Sequence, residues 1–370
     1  MLSNQPSFTC LLALAIALSL AVALKAADAP TGAPIEIALV GCAHIHTPNF
    51  VSRMKKRTDI KVKYVWDHDA ARAKKYADEL GAPVVLDLNQ IWGDSLVSAV
   101  VICSETDRHP ELVLAAAKAK KNIYAEKPLG FTATDSYAMA KAMADSGVFF
   151  QTGYFMRSEP AMQFLKQQAD AGAFGTITRI RGCNAHSGAL GGWFDKDYRW
   201  MADPKQSGIG GFGDLGTHSL DIMLWLINQP VERVSAVTSM GTARYEGCDE
   251  LGEGILVFKN GVIGTLAAGW DDVSNPVSLE ICGTEGHAAV VQGKLYFQSK
   301  HVKGADGKQP WTQLPPAKPH AFDAFLDAVA GSKDAMLITG AEAAYRAAVM
   351  QALYDAAKEQ KWTPVQQPAQ

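Results

Sequence analysis

Short apolar runs and stretches of helical period alternate along the chain from Ile35 to about Thr152. Ile35–Gly41, Val62–Asp67, Ala99–Cys103, Asn122–Ala125 and Val148–Gly153 read as strands, rich in β-branched and aromatic residues and bounded by Gly or polar residues. Between them, Asp69–Leu80 ends at Gly81, a natural helix C-cap, Pro110–Lys120 opens on a proline, and Thr134–Ser146 ends at Gly147. Strand and helix in regular succession predict parallel strands joined by crossover helices.

The rhythm changes after Gly153. One more helix, Pro160–Ala171, stops at Gly172. Strands then follow one another: Thr176–Ala185, Glu232–Gly241, Gly254–Lys259, Val262–Trp270, Val277–Cys282 and His287–Gln292. Asn260-Gly261 between two of them is a two-residue hairpin signal. This half therefore predicts an α+β domain with an open, mostly antiparallel sheet, so the chain as a whole is α/β. Gly304–Pro319 reads as a loop, and His320–Ala330 and Ala341–Lys358 as closing helices. The last presents Ala344, Tyr345, Ala348, Ala352, Leu353 and Ala356 as a packing face. The expected divisions are a signal peptide at 1–29, a nucleotide-binding domain at 34–152, an α+β domain at 153–318 and closing helices at 319–362.

The signal peptide rests on the apolar run Phe8–Leu24 and the small residues at Ala26–Ala29. Export to the periplasm or the outside is expected, with cleavage between Ala26 and Pro30 and no span in the mature chain. An N-terminal anchor is the alternative, since the run is near the lower length limit for crossing a bilayer. A net charge of -3 without a Lys/Arg-rich stretch excludes a nucleic-acid partner. Cys10 lies in the apolar run. Cys42, Cys103, Cys183, Cys248 and Cys282 show no Cys-x-x-Cys spacing and read as buried free thiols.

Three constellations carry candidate chemistry. The first strand meets Gly41-Cys42-Ala43-His44-Ile45-His46, where a Rossmann domain places its Gly-x-Gly-x-x-Gly turn. Only the first glycine is kept. Asp67 ends the second strand at the spacing of the acid that accepts hydrogen bonds from a ribose diol, favouring NAD over NADP. Its other reading is the N-cap of the following helix. The strand Asn122–Ala125 delivers Glu126-Lys127-Pro128 at the sheet edge where open parallel sheets bind ligands; a surface ion pair is the plainer reading.

The third is Gly208-Ile209-Gly210-Gly211-Phe212-Gly213-Asp214, where four glycines suggest a loop kept small for a ligand or a facing backbone. A helix is predicted from about Asp214 to Asn228, with Asp214, His218 and Asp221 sharing one face and Leu220, Met223, Leu224 and Ile227 its core stripe. A carboxylate one turn from an imidazole suits acid/base work; the plainer reading is a capping Asp and a buried His. The His44-x-His46 spacing hints at a metal, but no cysteine or acid at matching spacing accompanies it, and none is expected.

Together these residues resemble the glucose–fructose oxidoreductase / inositol dehydrogenase (Gfo/Idh/MocA) family over nearly the whole mature chain. The match includes Glu126-Lys127-Pro128, His109, Arg157 and the segment Gly213–Asp221. The resemblance implies hydride transfer between NAD(P) and a sugar or cyclitol hydroxyl, and an open sheet used for homo-oligomerisation. It implies a catalytic set of Lys127, Asp214 and His218, with His218 as proton shuttle. The implied cofactor set is Gly41, Ala43, His44, His46, Asp67, Ser104, His109, Glu126 and Lys127. Arg157, Tyr198, Arg199, Trp200, Asp214 and His218 would meet the substrate. The family also contains NAD-dependent glycosidases, whose transient oxidation needs no net redox partner and so suits an exported protein. The altered turn supports an alternative: an exported carbohydrate-binding protein that kept the fold and lost the cofactor.

Overall fold

The computed structural model describes residues 33–368. The expected signal peptide, its cleavage site and Cys10 lie outside the described residues. From residue 34 on, the chain clusters as one compact unit containing two sheets.

The first sheet is parallel, in the order β2-β1-β3-β4-β5, from β1 (Ile35–Cys42), β2 (Ile60–Trp66), β3 (Val97–Cys103), β4 (Asn122–Ala125) and β5 (Phe150–Gln151). Its interior residues Ile37–Val40 and Val100–Cys103 are fully buried, as expected of a sheet covered on both faces. The helices are α1 (Thr47–Lys55), α2 (Ala70–Leu80), α3 (Asn89–Trp92), α4 (His109–Lys118) and α5 (Ala133–Ser146). The order reverses beside β1, and the C-terminal ends of β1, β3 and β4 deliver His44, Ser104 and Glu126 to one crevice. Sequence periodicity missed α1, although Pro48 opens it and Phe50, Val51 and Met54 bury one face.

α6 (Pro160–Asp170) leads to a nine-stranded sheet in the order β13-β12-β11-β10-β6-β9-β8-β7-β14. Its strands are β6 (Ile177–Ala185), β7 (Val231–Ser239), β8 (Leu251–Phe258), β9 (Ile263–Gly269), β10 (Val277–Gly283), β11 (Gly286–Val291), β12 (Lys294–Ser299), β13 (Asp306–Pro310) and β14 (Thr363–Pro364). All neighbours are antiparallel except β6 and β9. The stretch expected to be loop from Gly304 thus begins with β13, and β12 was not foreseen; Asp306, Lys308 and Gln309 on this edge are exposed and carry no hydrophobic alternation. α7 (Pro204–Ser207) precedes α8 (Gly211–Ile227), which packs on β6 and β9. α9 (Ala321–Val329) and α10 (Gly340–Glu359) return to the parallel sheet, where Phe322 stacks on Phe50.

α8 begins three residues earlier than predicted. Gly210 is its N-cap position and Gly211 and Gly213 lie inside it. A Cβ on Gly210 or Gly211 would come within 2.1 or 2.2 Å of the Asp249 or Glu250 carbonyl oxygen. The facing backbone, not a ligand, requires these glycines. The five cysteines among the described residues are free, but Cys183 and Cys282 are only half-buried.

Candidate active site

β4 ends by placing Glu126 and Lys127 in the interior, with residue exposures of 0% and 3%. They do not form the surface ion pair of the plainer reading. The Lys127 ammonium donates instead to the Asp214 carboxylate on α8, joining the two sheets' chemistry at one point. Trp270, just after β9, donates its indole N–H to the other Asp214 oxygen at 3.0 Å. Burial alone would raise the Asp214 carboxyl, but Lys127 and Trp270 outweigh it and hold it well below the usual carboxylate range. Asp214 is therefore a buried anion with fixed partners rather than a helix cap.

His218 lies one turn further along α8. Its Nδ1 is buried and without a hydrogen-bond partner. Burial first, then the Lys127 ammonium, push its pKa well below the ordinary imidazole value, so the ring is neutral near pH 7. A cavity of about 330 Å3 opens onto Lys127, Asp214, His218 and His46. That volume is of the order that small ligands require. An unpartnered imidazole nitrogen beside a positioned ammonium fits a substrate hydroxyl. Asn184 and His186 from the end of β6, and Phe155 and Trp193, line the same cavity and were not foreseen. Trp193 is 48% exposed, and its ring lies 4.6 Å from that of His186.

Asp221 does not join this face. It binds the Arg157 guanidinium through two bonds of 2.8 and 2.6 Å and also accepts from Arg346 at 2.8 Å. Arg157 is further held by Glu342 and stacks over Trp225. Its expected substrate role is corrected: the guanidinium is buried and spent on tying α8 to α10. A larger concavity of about 980 Å3 adjoins this network, but its Arg346 and Glu342 are already paired and Lys127 is not among its walls.

The nucleotide crevice lies over the turn after β1. Gly41 has φ +82, and a Cβ there would lie 2.7 Å from Ser104 atoms, so glycine is required by the close approach of the chain leaving β3. Asp67 accepts from the Cys42 N–H at 2.6 Å, the Asp69 N–H at 2.7 Å and the Arg72 guanidinium at 2.9 Å. It does not cap α2; Asp69 does, accepting from the Ala71 and Arg72 amides. Asp67 thus fastens the turn, and Arg72 shares its charge with Glu105. His109 donates from Nδ1 toward the Pro128 and Leu129 carbonyls at 3.1 and 3.2 Å, fixing the turn that presents Lys127. Ser104 donates to the Glu105 carbonyl.

His44 is buried, and its Nδ1 accepts the His46 N–H at 3.2 Å. Burial lowers its pKa to about 3 against the pull of Glu126. His46, at the position of the third turn glycine, places Nδ1 3.2 Å from Glu126. Burial disfavours the Glu126 anion, but the imidazoles of His44 and His46 and the Lys127 ammonium outweigh it and keep the carboxyl ionised.

Tyr198, Arg199 and Trp200 were expected at the substrate. None of them lines the substrate cavity; Arg199 and Trp200 border the cavity beside His68, Arg72 and Glu105. Trp200 donates its indole N–H to the Ala43 carbonyl at 3.0 Å. Arg199 donates to the Ala202 carbonyl and lies over the Tyr245 ring, and Tyr198 is half-buried outside the substrate cavity. On one side of Trp200, a cavity of about 460 Å3 is bordered by His68, Arg72 and Glu105. On the other lies the substrate cavity, and between them only about 10 Å3 remains. At the α1 N-terminus no side chain caps the helix, but Pro48 has no N–H and the Thr47 and Asn49 amides already donate to the His44 and His46 carbonyls, so a pyrophosphate bound there displaces these turn bonds.

Fold and site together define a two-sheet Rossmann-type nucleotide-binding protein with a second, substrate-facing sheet. Residues 35–154 match the description "Oxidoreductase family, NAD-binding Rossmann fold" and residues 162–289 match the "GFO/IDH/MocA C-terminal domain". The chain belongs to the GFO/IDH/MocA family of NAD-dependent oxidoreductases. It is 29% identical over 234 residues to levoglucosan dehydrogenase of Pseudarthrobacter phenanthrenivorans, covering 54% of this chain and 57% of that one. It is 27% identical over 270 residues to scyllo-inositol 2-dehydrogenase (NAD(+)) of Bacillus subtilis, covering 71% and 74%. Its fold is shared with GenD2 from gentamicin A biosynthesis in complex with NAD, at TM-score 0.75 and 22% identity over 93% of this chain and 100% of that one. A levoglucosan dehydrogenase complex with NADH and levoglucosan superposes at TM-score 0.74 and 21% identity, covering 90% and 100%.

Proposed function

We propose that the protein oxidises a secondary hydroxyl of a sugar or cyclitol, or reduces the matching ketone, with NAD as hydride acceptor or donor. The observation that carries the reading is the buried Lys127–Asp214 pair beside the unpartnered, neutral His218 in one cavity of ligand size. The relatives named for levoglucosan and scyllo-inositol support the substrate class. When bound, NAD supplies a hydride acceptor. Lys127 donates a hydrogen bond to the reacting oxygen and fixes its direction. Asp214 holds the ammonium in place, and Trp270 holds Asp214. His218, neutral, takes the hydroxyl proton. Phe155 and Trp193 give a sugar ring apolar surface while Asn184 and His186 offer polar contacts.

The expected export and a homo-oligomeric state are part of the same proposal. The apolar run Phe8–Leu24 supports export. Val237, Ile255 and Ile263 on β7, β8 and β9 are 73%, 43% and 48% exposed, an apolar sheet face suited to a second copy. An exported enzyme meets no cofactor pool, so NAD is retained between turnovers, which also suits a cycle of transient oxidation. Purified protein is acid-denatured and the supernatant assayed for NAD, NADH and NADP. Release of NAD(H) is expected. No release, together with no binding of NAD at about millimolar concentration (roughly -4 kcal/mol), refutes the proposal and leaves a cofactor-free carbohydrate-binding protein.

A further inference from the structure

The turn after β1 carries two imidazoles, His44 and His46, and neither is used by the proposed hydroxyl chemistry. Their spacing in sequence offers no third ligand, but the fold supplies one from a different strand. His44 Nε2 lies 3.8 Å from one oxygen of Glu126, and His46 Nδ1 lies 3.2 Å from the other. One ligand atom from each of the three falls within 4.8 Å of the others. Ligand atoms on one tetrahedral zinc stand about 3.4 Å apart at the usual bond lengths. We propose that the cofactor-free protein holds a divalent first-row cation, with zinc as its probe, on His44, His46 and Glu126 beside Lys127.

Access favours this. Glu126 is fully buried, whereas the His46 side chain is 37% exposed and borders the substrate cavity, which gives an ion its route in. Two imidazoles and one carboxylate leave further coordination positions for water or substrate oxygen. Binding has a definite cost. His44 Nδ1 now accepts the His46 amide, so the proton sits on Nε2. To ligate through Nε2, the ring must carry its proton on Nδ1 and give up that bond. One hydrogen bond is lost where three metal bonds form.

A second cluster, Glu280, Cys282 and His287 on β10 and β11, is the natural competitor. There Arg181 already bonds Glu280 at 3.0 Å and Arg179 lies 3.7 Å from the Cys282 sulfur, so cations oppose an ion. It is removed from the test by His287→Ala. The exclusion of NAD by the ion rests on the proposed function, because Glu126 and Lys127 then face the nicotinamide side; the cation site itself does not.

The test titrates zinc chloride into untagged His287→Ala protein, stripped of metal and freed of nucleotide by unfolding and refolding, by calorimetry. One equivalent is expected to bind, His46→Ala and Glu126→Gln are each expected to weaken it about tenfold or more, and saturating NAD is expected to weaken it similarly. No binding, or binding indifferent to His46→Ala, overturns the site. His46→Ala alters a partly exposed side chain, and its fold is checked by circular dichroism. Nucleotide-free wild-type crystals soaked in zinc give an independent readout: an anomalous peak between His44, His46 and Glu126 supports the site, and its absence overturns it. Zinc binding unaffected by bound NAD overturns the exclusion alone. Zinc binding in a protein that takes no NAD refutes the proposed function and leaves the site standing.

Discussion

Lys127→Met separates the two tasks of the Lys127–Asp214 pair, catalysis and charge balance. The Lys127 and Asp214 side chains are 2% and 12% exposed. Removing the ammonium leaves a buried carboxylate with only the Trp270 N–H as a strong partner. Breaking a buried pair in this way costs about 3–5 kcal/mol. The loss is largest at neutral pH and shrinks as the medium is acidified, because Asp214 without its cation protonates more readily. Lys127→Met combined with Asp214→Asn removes both charges, and the amide oxygen still accepts from Trp270. The double variant should therefore recover at least about 2 kcal/mol of the lost stability. Turnover should not recover: all variants lacking Lys127 should fall by on the order of a hundredfold or more. Urea titrations followed by tryptophan fluorescence give the stabilities, and NAD reduction gives the rates. If the single variant loses less than about 1 kcal/mol, or the double variant is no more stable than the single, the pair is not the buried charge couple described above.

His218 is neutral well below its ordinary range, so oxidation should be level from about pH 6 to 8, with its acid limb lower; a rise centred near the free imidazole value in the wild type, lost in His218→Asn, would show an unperturbed ring. His44, with a folded value of about 3, takes up a proton on unfolding whenever the pH is below about 6.5, so stability is full above that value and falls as pH drops toward the folded one. The loss at pH 5 is about 2 kcal/mol, read as the difference between urea titrations at pH 7 and 5; an equal difference in His44→Gln would place the effect elsewhere. Trp200→Ala should speed NAD association in stopped-flow fluorescence, because Trp200 closes the crevice to about 10 Å3; an unchanged rate would mean that its turn does not gate entry.

The parallel sheet was legible because its strands are buried on both faces, and their apolar runs stand out against capped helices. α1 was not legible: it follows the turn directly and is only nine residues long, so Phe50, Val51 and Met54 give too short a helical period to stand out. β13 lies at the sheet edge without a buried position, which leaves no alternation to read, whereas β12 does turn Leu295 and Phe297 inward but is only six residues long. Lys127, Asp214 and His218 were legible because local motifs place them, and the structure gathers them at one cavity. Arg157 and Asp221 were misplaced because a charged residue near a motif reads the same whether it meets substrate or a buried partner. Glu126 as neighbour of His44 and His46 was beyond reach: 80 residues separate it from His46, and only the strand order joins them.

The measurement that bears most directly on the central reading is deuterium transfer. Levoglucosan and inositols carrying deuterium on the carbinol carbon are incubated with the protein and NAD, and the recovered cofactor is analysed by mass spectrometry. Label carried from carbon to the nicotinamide ring by the wild type, and lost in Lys127→Met, is the predicted result. A protein that binds NAD and these polyols yet leaves every label on its carbon contradicts the assignment of Lys127, Asp214 and His218 to hydride-transfer chemistry on a sugar-like hydroxyl.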